Sequence, residues 1–397
     1  MKIKDYLKLF GISNLDFSKD LGISNVSLSR YISGERFPER NILQKIYQIT
    51  DGLVDANDFF IEKTNSKLLS EFQKKKINEI VNKIKKGSRN NLAKAITLIE
   101  SSLMSHKLES NFLLSKLPSN QDSIRIGITG VPGVGKSTFI ETFGMMLVNL
   151  GHKVSVLAID PSSNKSGGSI LGDKTRMTKL SVNKNAFIRP SPSQGHLGGV
   201  AKKTNDSINC LEAAGFDIIF IETMGVGQAE TAVYDMVDIF LVMLLPSGGD
   251  ELQGIKKGII EMADIIVVNK ADGNLKKSAE ITMSEYKNAQ TMISKIRKDI
   301  SPEVLVCSST ESIGFDEIWS YTKKFIEISR KNGSFFDNRK KQKIKSVWNN
   351  LNSMLNGFVE NDIKNKEFVK KIIKDVENNN LDVNNATEII FEFISNN

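Results

Sequence analysis

The sequence predicts an α/β protein with a doubly wound, mostly parallel sheet, an all-helical segment before it and a helical extension after it. From residue 124 onward, short apolar runs alternate with helical segments, which is the pattern of parallel strands buried on both faces. A glycine-rich loop follows the first of these runs, and polar residues follow several others. The expected strands cover residues 124–129, 154–159, 186–189, 217–222, 239–245, 264–269 and 304–308.

The glycine-rich loop fits the pattern G-x-x-x-x-G-K-[ST] of a phosphate-binding P-loop. It lies between the first expected strand and a helix expected over residues 139–150, so backbone amides and the helix N-terminus would converge on a β-phosphate. Lys136 would supply a positive charge to the β- and γ-phosphates, and the Ser137 hydroxyl is a candidate Mg²⁺ ligand. A glycine-rich turn matched by chance would lack this strand and helix. The loop comprises Gly130, Val131, Pro132, Gly133, Val134, Gly135, Lys136, Ser137 and Thr138.

A second motif, N-K-A-D at residues 269–272, ends a later apolar strand. The carboxylate of Asp272 can accept both N–H groups of the guanine Watson–Crick edge, a pair that adenine does not offer. Asn269 is expected to join neighbouring loops, and the stem of Lys270 to lie over the base. Alone, the motif could be ordinary turn chemistry at a strand end, but after a P-loop it predicts GTP rather than ATP. The residues expected to close over the guanine are Ser308, Ser309 and Thr310.

Acidic residues at strand ends and in one loop are candidate partners of Mg²⁺. Asp160 and Glu222 each close an expected strand, and Asp173 lies in the loop after the first of them. A carboxylate that closes the strand beside a P-loop strand usually holds the metal directly or through a neighbouring group. Together with Ser137 these acids form the expected metal site, and Gly225 could donate a backbone N–H to the γ-phosphate. The alternative for each acid is a solvated carboxylate that only ends a strand.

The glycine-flanked loop over residues 248–258 carries both an amide, Gln253, and cations such as Lys256, so it could enter the nucleotide site. No glutamine follows directly after the E-T-M-G element at residues 222–225. We therefore expect slow hydrolysis of GTP until a partner orders these loops.

The chain is expected to divide into five parts. They are a helix-turn-helix domain at 1–62, a linker at 63–80, a helical lead-in at 81–122, a P-loop GTPase domain at 123–333 and a C-terminal helical dimerisation extension at 334–397. An apolar stripe in the extension is expected to pack on its own domain or on a second subunit. The stripe comprises Trp348, Leu351, Leu355 and Phe358.

Residues 15–34 resemble the helix-turn-helix of lambda-repressor-like proteins, with helices expected on both sides of a turn at residues 22–24. The positions that the motif buries match Phe17, Leu21, Ile23, Val26, Leu28 and Ile32. The resemblance places Asn25, Ser27, Ser29 and Arg30 on or beside a recognition helix. Residues 1–71 hold ten basic and ten acidic side chains, whereas attraction to phosphate normally dominates DNA affinity. DNA binding through residues 1–62, a protein-docking role and a relic domain all stay open.

Composition favours a cytoplasmic protein. The 397 residues carry a net charge of +8, all of it in residues 72–397 with 44 basic and 36 acidic side chains. Part of this excess should surround the triphosphate, and the basic run at 339–345 is expected to be a solvated helix face rather than a nucleic-acid site. No apolar run is as long as a membrane span, and the N-terminus does not have the pattern of a signal peptide. Cys210 and Cys307 lie far apart and are expected to be core thiols.

Six segments of the chain, over about residues 80–360, together resemble the MeaB/ArgK family of G-protein chaperones, to which the methylmalonic aciduria type A proteins belong. The segments are GITGVPGVGKSTFIE, LAIDPSS…SGGSILGDKTRM, RPSPSQGHLGGVA, AAGFDIIFIETMGVGQAE, GGDELQGIKKGI and NKADG. The resemblance implies a homodimer joined by C-terminal helices and a role as chaperone of an adenosylcobalamin-dependent mutase, chiefly methylmalonyl-CoA mutase. It implies Mg²⁺ held with Ser137, Asp160, Asp173 and Glu222. The expected catalytic residues are Lys136, Glu222, Gln253 and Lys256, and the resemblance implies that the last two lie in a mobile loop that meets the nucleotide when the partner binds.

The chain departs from this family in its helix-turn-helix segment, which is not a usual part of it. Two other functions stay open. A GTPase that inserts nickel or cobalt would need clustered Cys and His ligands, whereas His106, His152 and His196 are scattered. A GTP-responsive DNA-binding regulator would use the N-terminal segment as its output. The chain lacks the D-x-H-x-x-G motif, so it is not expected to hold cobalamin through a lower-ligand histidine.

Overall fold

The computed structural model describes residues 2–33, 35–60, 69–101, 103–118, 122–160, 177–192, 197–223, 230–246, 257–290 and 302–395. The chain divides into two compact units, Met1–Leu68 and Leu69–Asn397. None of the described helices is long and apolar enough to cross a lipid bilayer.

The first unit consists of short helices around a small apolar core. Its described helices are α1 (Ile3–Phe10), α2 (Asn14–Leu21), α3 (Asn25–Ser33), α4 (Arg40–Ile49) and α5 (Asn57–Phe60). Phe17, Leu21, Leu28 and Ile46 are completely buried in the core. The hydroxyl of Ser24 accepts a hydrogen bond from the Ser27 amide at 3.1 Å and so caps α3.

The expected burial of one residue in the helix-turn-helix core is wrong. Val26 is 63% exposed, whereas we expected it to be buried. The buried side of α3 carries Leu28 and Tyr31, and a residue two positions before Leu28 points to the opposite side of a helix with 3.6 residues per turn. Val26 therefore shares the solvent side of α3 with Asn25, and Ile23 is only partly buried.

The second unit begins with three helices. They are α6 (Glu71–Lys85), α7 (Arg89–Glu100) and α8 (Met104–Lys116). Residues 71–80, which we assigned to a linker, form the first turns of α6. Ser70 and Gln73 form a capping box, in which each side chain pairs with the backbone of the other residue and fixes the helix start.

A seven-stranded parallel sheet forms the centre of the second unit, as the sequence predicted. The strands are β1 (Ile124–Gly130), β2 (Val154–Asp160), β3 (Ala186–Pro192), β4 (Ile218–Thr223), β5 (Ile239–Leu244), β6 (Ile265–Val268) and β7 (Glu303–Val306). Their order is β3-β2-β4-β1-β5-β6-β7, and all paired neighbours run parallel. The carboxyl ends of all strands therefore meet at one edge, with β1 between β4 and β5.

Helices pack on both faces of this sheet and bury one apolar core on each. The helices after β1 are α9 (Lys136–Asn149), α10 (Thr178–Val182), α11 (Leu197–Ala213), α12 (Glu230–Tyr234), α13 (Lys257–Glu261), α14 (Lys276–Gln290), α15 (Phe315–Lys331), α16 (Ser334–Phe358), α17 (Glu367–Glu377) and α18 (Val383–Ser395). On one face Phe139 and Phe143 of α9 pack against Phe315 of α15. The helix that follows the P-loop is thus fixed by a buried aromatic cluster.

The lysines of the basic run at the start of α16 are exposed, as expected for a solvated helix face, but Arg339 at its beginning is not. Arg339 is only 7% exposed. Its guanidinium donates to both carboxylate oxygens of Asp238, at 2.8 and 2.7 Å, and to the backbone oxygen of Ser123 at 2.7 Å. A bidentate pair of this kind is strong and directional. It attaches α16 to the amino edge of the sheet, opposite the edge that carries the P-loop.

Candidate nucleotide site

The predicted P-loop runs from the end of β1 to the start of α9. Gly130, Gly133 and Gly135 have φ angles of +156°, +82° and +93°, which residues with a Cβ rarely adopt. A Cβ at Gly130 would lie 2.6 Å from the Met243 backbone oxygen, and one at Gly135 would lie 2.8 Å from Nδ2 of Asn269. Glycine is therefore required at these two positions by close contacts as well as by backbone conformation.

Lys136 lies over the loop that precedes it. Its Nζ donates to the backbone oxygens of Gly130 at 2.8 Å and Val131 at 3.3 Å. Burial lowers the pKa of Lys136, while the carboxylates of Glu222 and Glu230 act in the opposite direction. The amine is thus desolvated, and two carboxylates act on it electrostatically. A bound phosphate would be a negatively charged hydrogen-bond acceptor for the amine, whereas the loop carbonyls are neutral acceptors.

Two of the expected Mg²⁺ partners lie together. Ser137 Oγ donates to Oε1 of Glu222 at 3.2 Å, and Glu222 is buried on β4 opposite Ile128 of β1. Only the backbone of Asp160 is described, and it ends β2 next to β4. A hydroxyl and a carboxylate are oxygen donors that suit a hard cation such as Mg²⁺.

Four of the predicted site residues lie outside the described residues. They are Asp173, Gly225, Gln253 and Lys256. Their expected roles at the metal, at the γ-phosphate and in catalysis remain predictions from the sequence.

Asn269 connects the P-loop to the base side of the site. Its Nδ2 donates to the backbone oxygen of Val134 at 2.8 Å. Its Oδ1 accepts from the Ser309 amide at 3.2 Å, the Ser309 hydroxyl at 2.8 Å and Sγ of Cys307 at 3.3 Å. Burial raises the pKa of this thiol to about 12, so Cys307 stays protonated and able to donate. With only 1% of its surface exposed, Asn269 is a buried junction between two loops.

The carboxylate of Asp272 is oriented by the loop after β7. Its Oδ2 accepts from Ser308 Oγ at 2.5 Å and from Thr310 Oγ1 at 3.1 Å. Ser308 and Thr310 therefore contact Asp272, whereas Ser309 between them contacts Asn269. Lys270 is exposed and has a positive φ of 60°. The three residues expected to close over the guanine thus contact the Asp272 carboxylate or the Asn269 amide.

Sequence reasoning missed two polar residues at this site. Glu230, at the start of α12, is 2% exposed and acts electrostatically on Lys136. On α9, Thr142 Oγ1 donates to the Ser309 backbone oxygen at 2.8 Å. Glu230 belongs to a segment that carried the family resemblance, but it lies 94 residues after Lys136, and nothing in the sequence indicated that the two are close. A polar residue in the P-loop helix was the only signal for Thr142.

The family described as "Methylmalonyl Co-A mutase-associated GTPase MeaB" matches residues 92–364. The chain belongs to the MeaB family. The family resemblance predicted from the sequence is thereby confirmed, and this MeaB-family protein is a GTPase with a P-loop NTPase fold. Residues 1–91, which include the first compact unit, lie outside the match.

Relatives of this MeaB-family GTPase extend over most of its length. A protein of Caulobacter vibrioides that is named as a GTPase is 49% identical over 302 residues, which are 76% of this chain and 91% of the relative. The protein named "Methylmalonic aciduria type A homolog, mitochondrial" of Mus musculus is 44% identical and covers 72% of each chain. A solved structure titled "Crystal structure of LAO/AO transport system kinase" has a TM-score of 0.65 and 34% identity, and covers 83% of this chain and 99% of its own.

Proposed function

We propose that this MeaB-family GTPase acts in the cytoplasm as a nucleotide-dependent chaperone and switch for an adenosylcobalamin-dependent acyl-CoA mutase, with methylmalonyl-CoA mutase as the first candidate. The description of the matching family and the name of the mouse relative support this partner. Its switching property would come from a GTP site that works slowly alone and faster when the partner is bound.

The observation that carries the nucleotide assignment is the junction at Asn269. This one side chain is bonded to Val134 of the P-loop and to Ser309, whose neighbours Ser308 and Thr310 hold Asp272. A triphosphate on the P-loop and a guanine on Asp272 would therefore be held at a fixed separation. Such a pairing supports selection of GTP, because a carboxylate covered by a base that lacks the matching N–H donors would disfavour that base.

Hydrolysis would use Lys136, Ser137 and Glu222, whose described contacts are with groups of the protein itself. We propose that Lys136 leaves the carbonyls of Gly130 and Val131 for the β- and γ-phosphates, while the P-loop amides and Gly225 hold phosphate oxygens. Ser137, Glu222, Asp160 and Asp173 would hold Mg²⁺, which neutralises phosphate charge when bound. Water then attacks the γ-phosphorus, the bond to the bridging oxygen breaks, and GDP and phosphate leave. Gln253 and Lys256 are proposed to complete the site when the mutase binds.

The test is GTP turnover with and without a purified adenosylcobalamin-dependent mutase. The mutase should raise turnover of GTP, but not of ATP, by at least about tenfold. Lys256→Ala should lower the stimulated rate more than the basal rate, while Lys257→Ala, which removes the adjacent cation, should keep the stimulation. A turnover rate that methylmalonyl-CoA mutase and related mutases leave unchanged would refute the chaperone role.

The exposed face of α16 favours a homodimer. Large apolar side chains recur there at helical spacing, each more than two-fifths exposed. They are Ile344, Val347, Trp348, Leu351, Met354, Leu355 and Phe358. A continuous apolar stripe on a long helix normally packs against another helix, and a second copy of α16 offers the same stripe. Light scattering should show a dimer that Trp348→Glu converts to a monomer and that Asn349→Glu, an exposed polar neighbour, leaves intact. A monomeric wild type would refute this proposal.

DNA binding by the first unit is a second candidate function, favoured by the solvent side of α3. Asn25, Ser29 and Arg30 are exposed there beside Val26, a set that can pair with base edges and contact a thymine methyl group. In vitro selection of DNA sequences by the full chain, at one stated salt concentration, should enrich a motif that Arg30→Ala abolishes. Recovery of sequences that share no motif would refute sequence-specific DNA binding by this unit.

A further inference from the structure

The P-loop helix makes a contact with the base-side loop that the proposed mechanism does not use. Thr142 lies in the second turn of α9, and its Oγ1 donates to the backbone oxygen of Ser309 at 2.8 Å. A helical threonine usually bonds to its own helix. Here the hydroxyl instead joins the phosphate-binding helix to a loop 167 residues later in the chain.

This bond completes the hydrogen bonding of Ser309. Its amide and its hydroxyl both donate to Oδ1 of Asn269, at 3.2 and 2.8 Å, and its carbonyl accepts from Thr142. Ser309 is only 6% exposed, and a polar group so far from water needs such partners. The loop is therefore attached to the P-loop region at two points, through Asn269 to Val134 and through Thr142 to α9.

Fixing Ser309 also fixes the two residues that orient Asp272. Ser308 and Thr310 flank Ser309 in the chain, and both donate to Oδ2 of Asp272. A shift of the Ser309 backbone would carry these two hydroxyls with it and turn the carboxylate. Positioning of a recognition group to within a fraction of an ångström depends on supporting contacts of this kind.

We propose that Thr142 is a positioning residue for guanine recognition, acting through Ser309 on the carboxylate of Asp272. This inference rests on the proposed role of Asp272 as the guanine acceptor. The helix that binds the phosphates would then also determine the position of the base. Because the Thr142 hydroxyl is bonded to Ser309 rather than to the P-loop, its loss should weaken binding of the base and leave the phosphate chemistry intact.

The test compares Thr142→Val, which removes the hydroxyl and keeps the shape, with Thr142→Ser, which keeps the hydroxyl. Thr142→Val should raise the KM for GTP and the Kd for GDP about tenfold, with kcat within about twofold of wild type, because one positioning hydrogen bond is lost. Thr142→Ser should behave as wild type. The inhibition constant of inorganic tripolyphosphate, which has no base, should be the same in all three proteins.

Each outcome separates this inference from the function on which it rests. A guanine-selective wild type together with an unchanged KM in Thr142→Val would overturn the role of Thr142 alone. Equal weakening of GDP and tripolyphosphate would also overturn it, because the damage would then lie in the P-loop helix. A wild type that binds ADP as well as GDP would overturn the assignment of Asp272 and the inference with it.

Discussion

The two ends of the nucleotide site are built differently. At the base end, Ser309 donates to Asn269, and its neighbours Ser308 and Thr310 donate to Asp272, so the recognition groups are held in place. At the phosphate end, Lys136 is bonded to carbonyls of its own loop and Ser137 to Glu222. These are partners that Lys136 and Ser137 must change when a triphosphate and a metal ion arrive.

The base end is therefore prepared for binding in advance, whereas the phosphate end has to rearrange. A preorganised base end provides selectivity at little reorganisation cost. At the phosphate end, Lys136 donates to loop carbonyls and Ser137 to Glu222, contacts that lower the cost of burying these polar groups. Rearrangement at that end gives a partner protein a step to influence, which suits a switch.

The largest expected effect is on the phosphate end. Lys136→Met keeps the length of the side chain but removes the charge that stabilises the developing negative charge on the phosphates. Turnover of GTP should fall by about 10²-fold or more in a steady-state phosphate-release assay. Lys179→Met, an exposed lysine on α10, is the matched control and should keep the wild-type rate. Retention of wild-type turnover by Lys136→Met would contradict the role of the P-loop lysine.

The next effect tests the base end. Asp272→Asn replaces one acceptor of the carboxylate by a donor, so GTP should bind more weakly by about 2–4 kcal/mol and xanthosine triphosphate more tightly. Titration with both nucleotides measures the exchange. Glu311→Gln changes an exposed acid in the same loop and should leave both affinities unchanged. Equal affinity of Asp272→Asn and wild type for GTP would place guanine recognition elsewhere.

The smallest expected effect is on the free energy of unfolding, and it concerns Lys136 at the phosphate end. Burial lowers the pKa of Lys136 below its usual 10.5 in the folded protein. Between the lowered value and 10.5 the unfolded chain binds the proton more tightly, so the contribution of this group to stability rises with pH. Below the lowered pKa the cost of the buried charge is fully present.

Lys136→Met should therefore unfold at a higher denaturant concentration than nucleotide-free wild type at pH 7. The advantage should shrink as the pH approaches 10.5, where wild-type Lys136 loses its proton in both states. Denaturant titrations at a series of pH values measure this. A nucleotide-free Lys136→Met protein that is less stable than wild type at neutral pH would show that the carbonyl contacts outweigh the desolvation of the amine.

The sheet and both nucleotide motifs could be predicted because their signals are local. Each strand begins within one residue of its expected start, since buried parallel strands are apolar runs with polar ends. The glycines of the P-loop follow from backbone demands within a few residues. The N-K-A-D motif at residues 269–272 could be recognised because it directly follows an apolar strand.

Other features depend on partners far away in the chain, and sequence reasoning had no access to them. Arg339 stands in a run of lysines, and only its pairing with Asp238 shows that it is buried. Thr142 and Glu230 acquire meaning from Ser309 and Lys136, which no local pattern connects to them. Helix α1 was not delimited, because eight residues near a chain end give too short a periodic pattern.

The most direct test of the account is a crystal structure with Mg²⁺ and a non-hydrolysable GTP analogue. We expect the contacts of Asn269 with Val134 and Ser309 to remain within hydrogen-bond distance, while Lys136 Nζ moves from the Gly130 oxygen to the phosphates and Ser137 turns from Glu222 to the metal ion. An unchanged contact between Lys136 and Gly130, or a broken junction at Asn269, would contradict the division of the site into a prepared base end and a rearranging phosphate end.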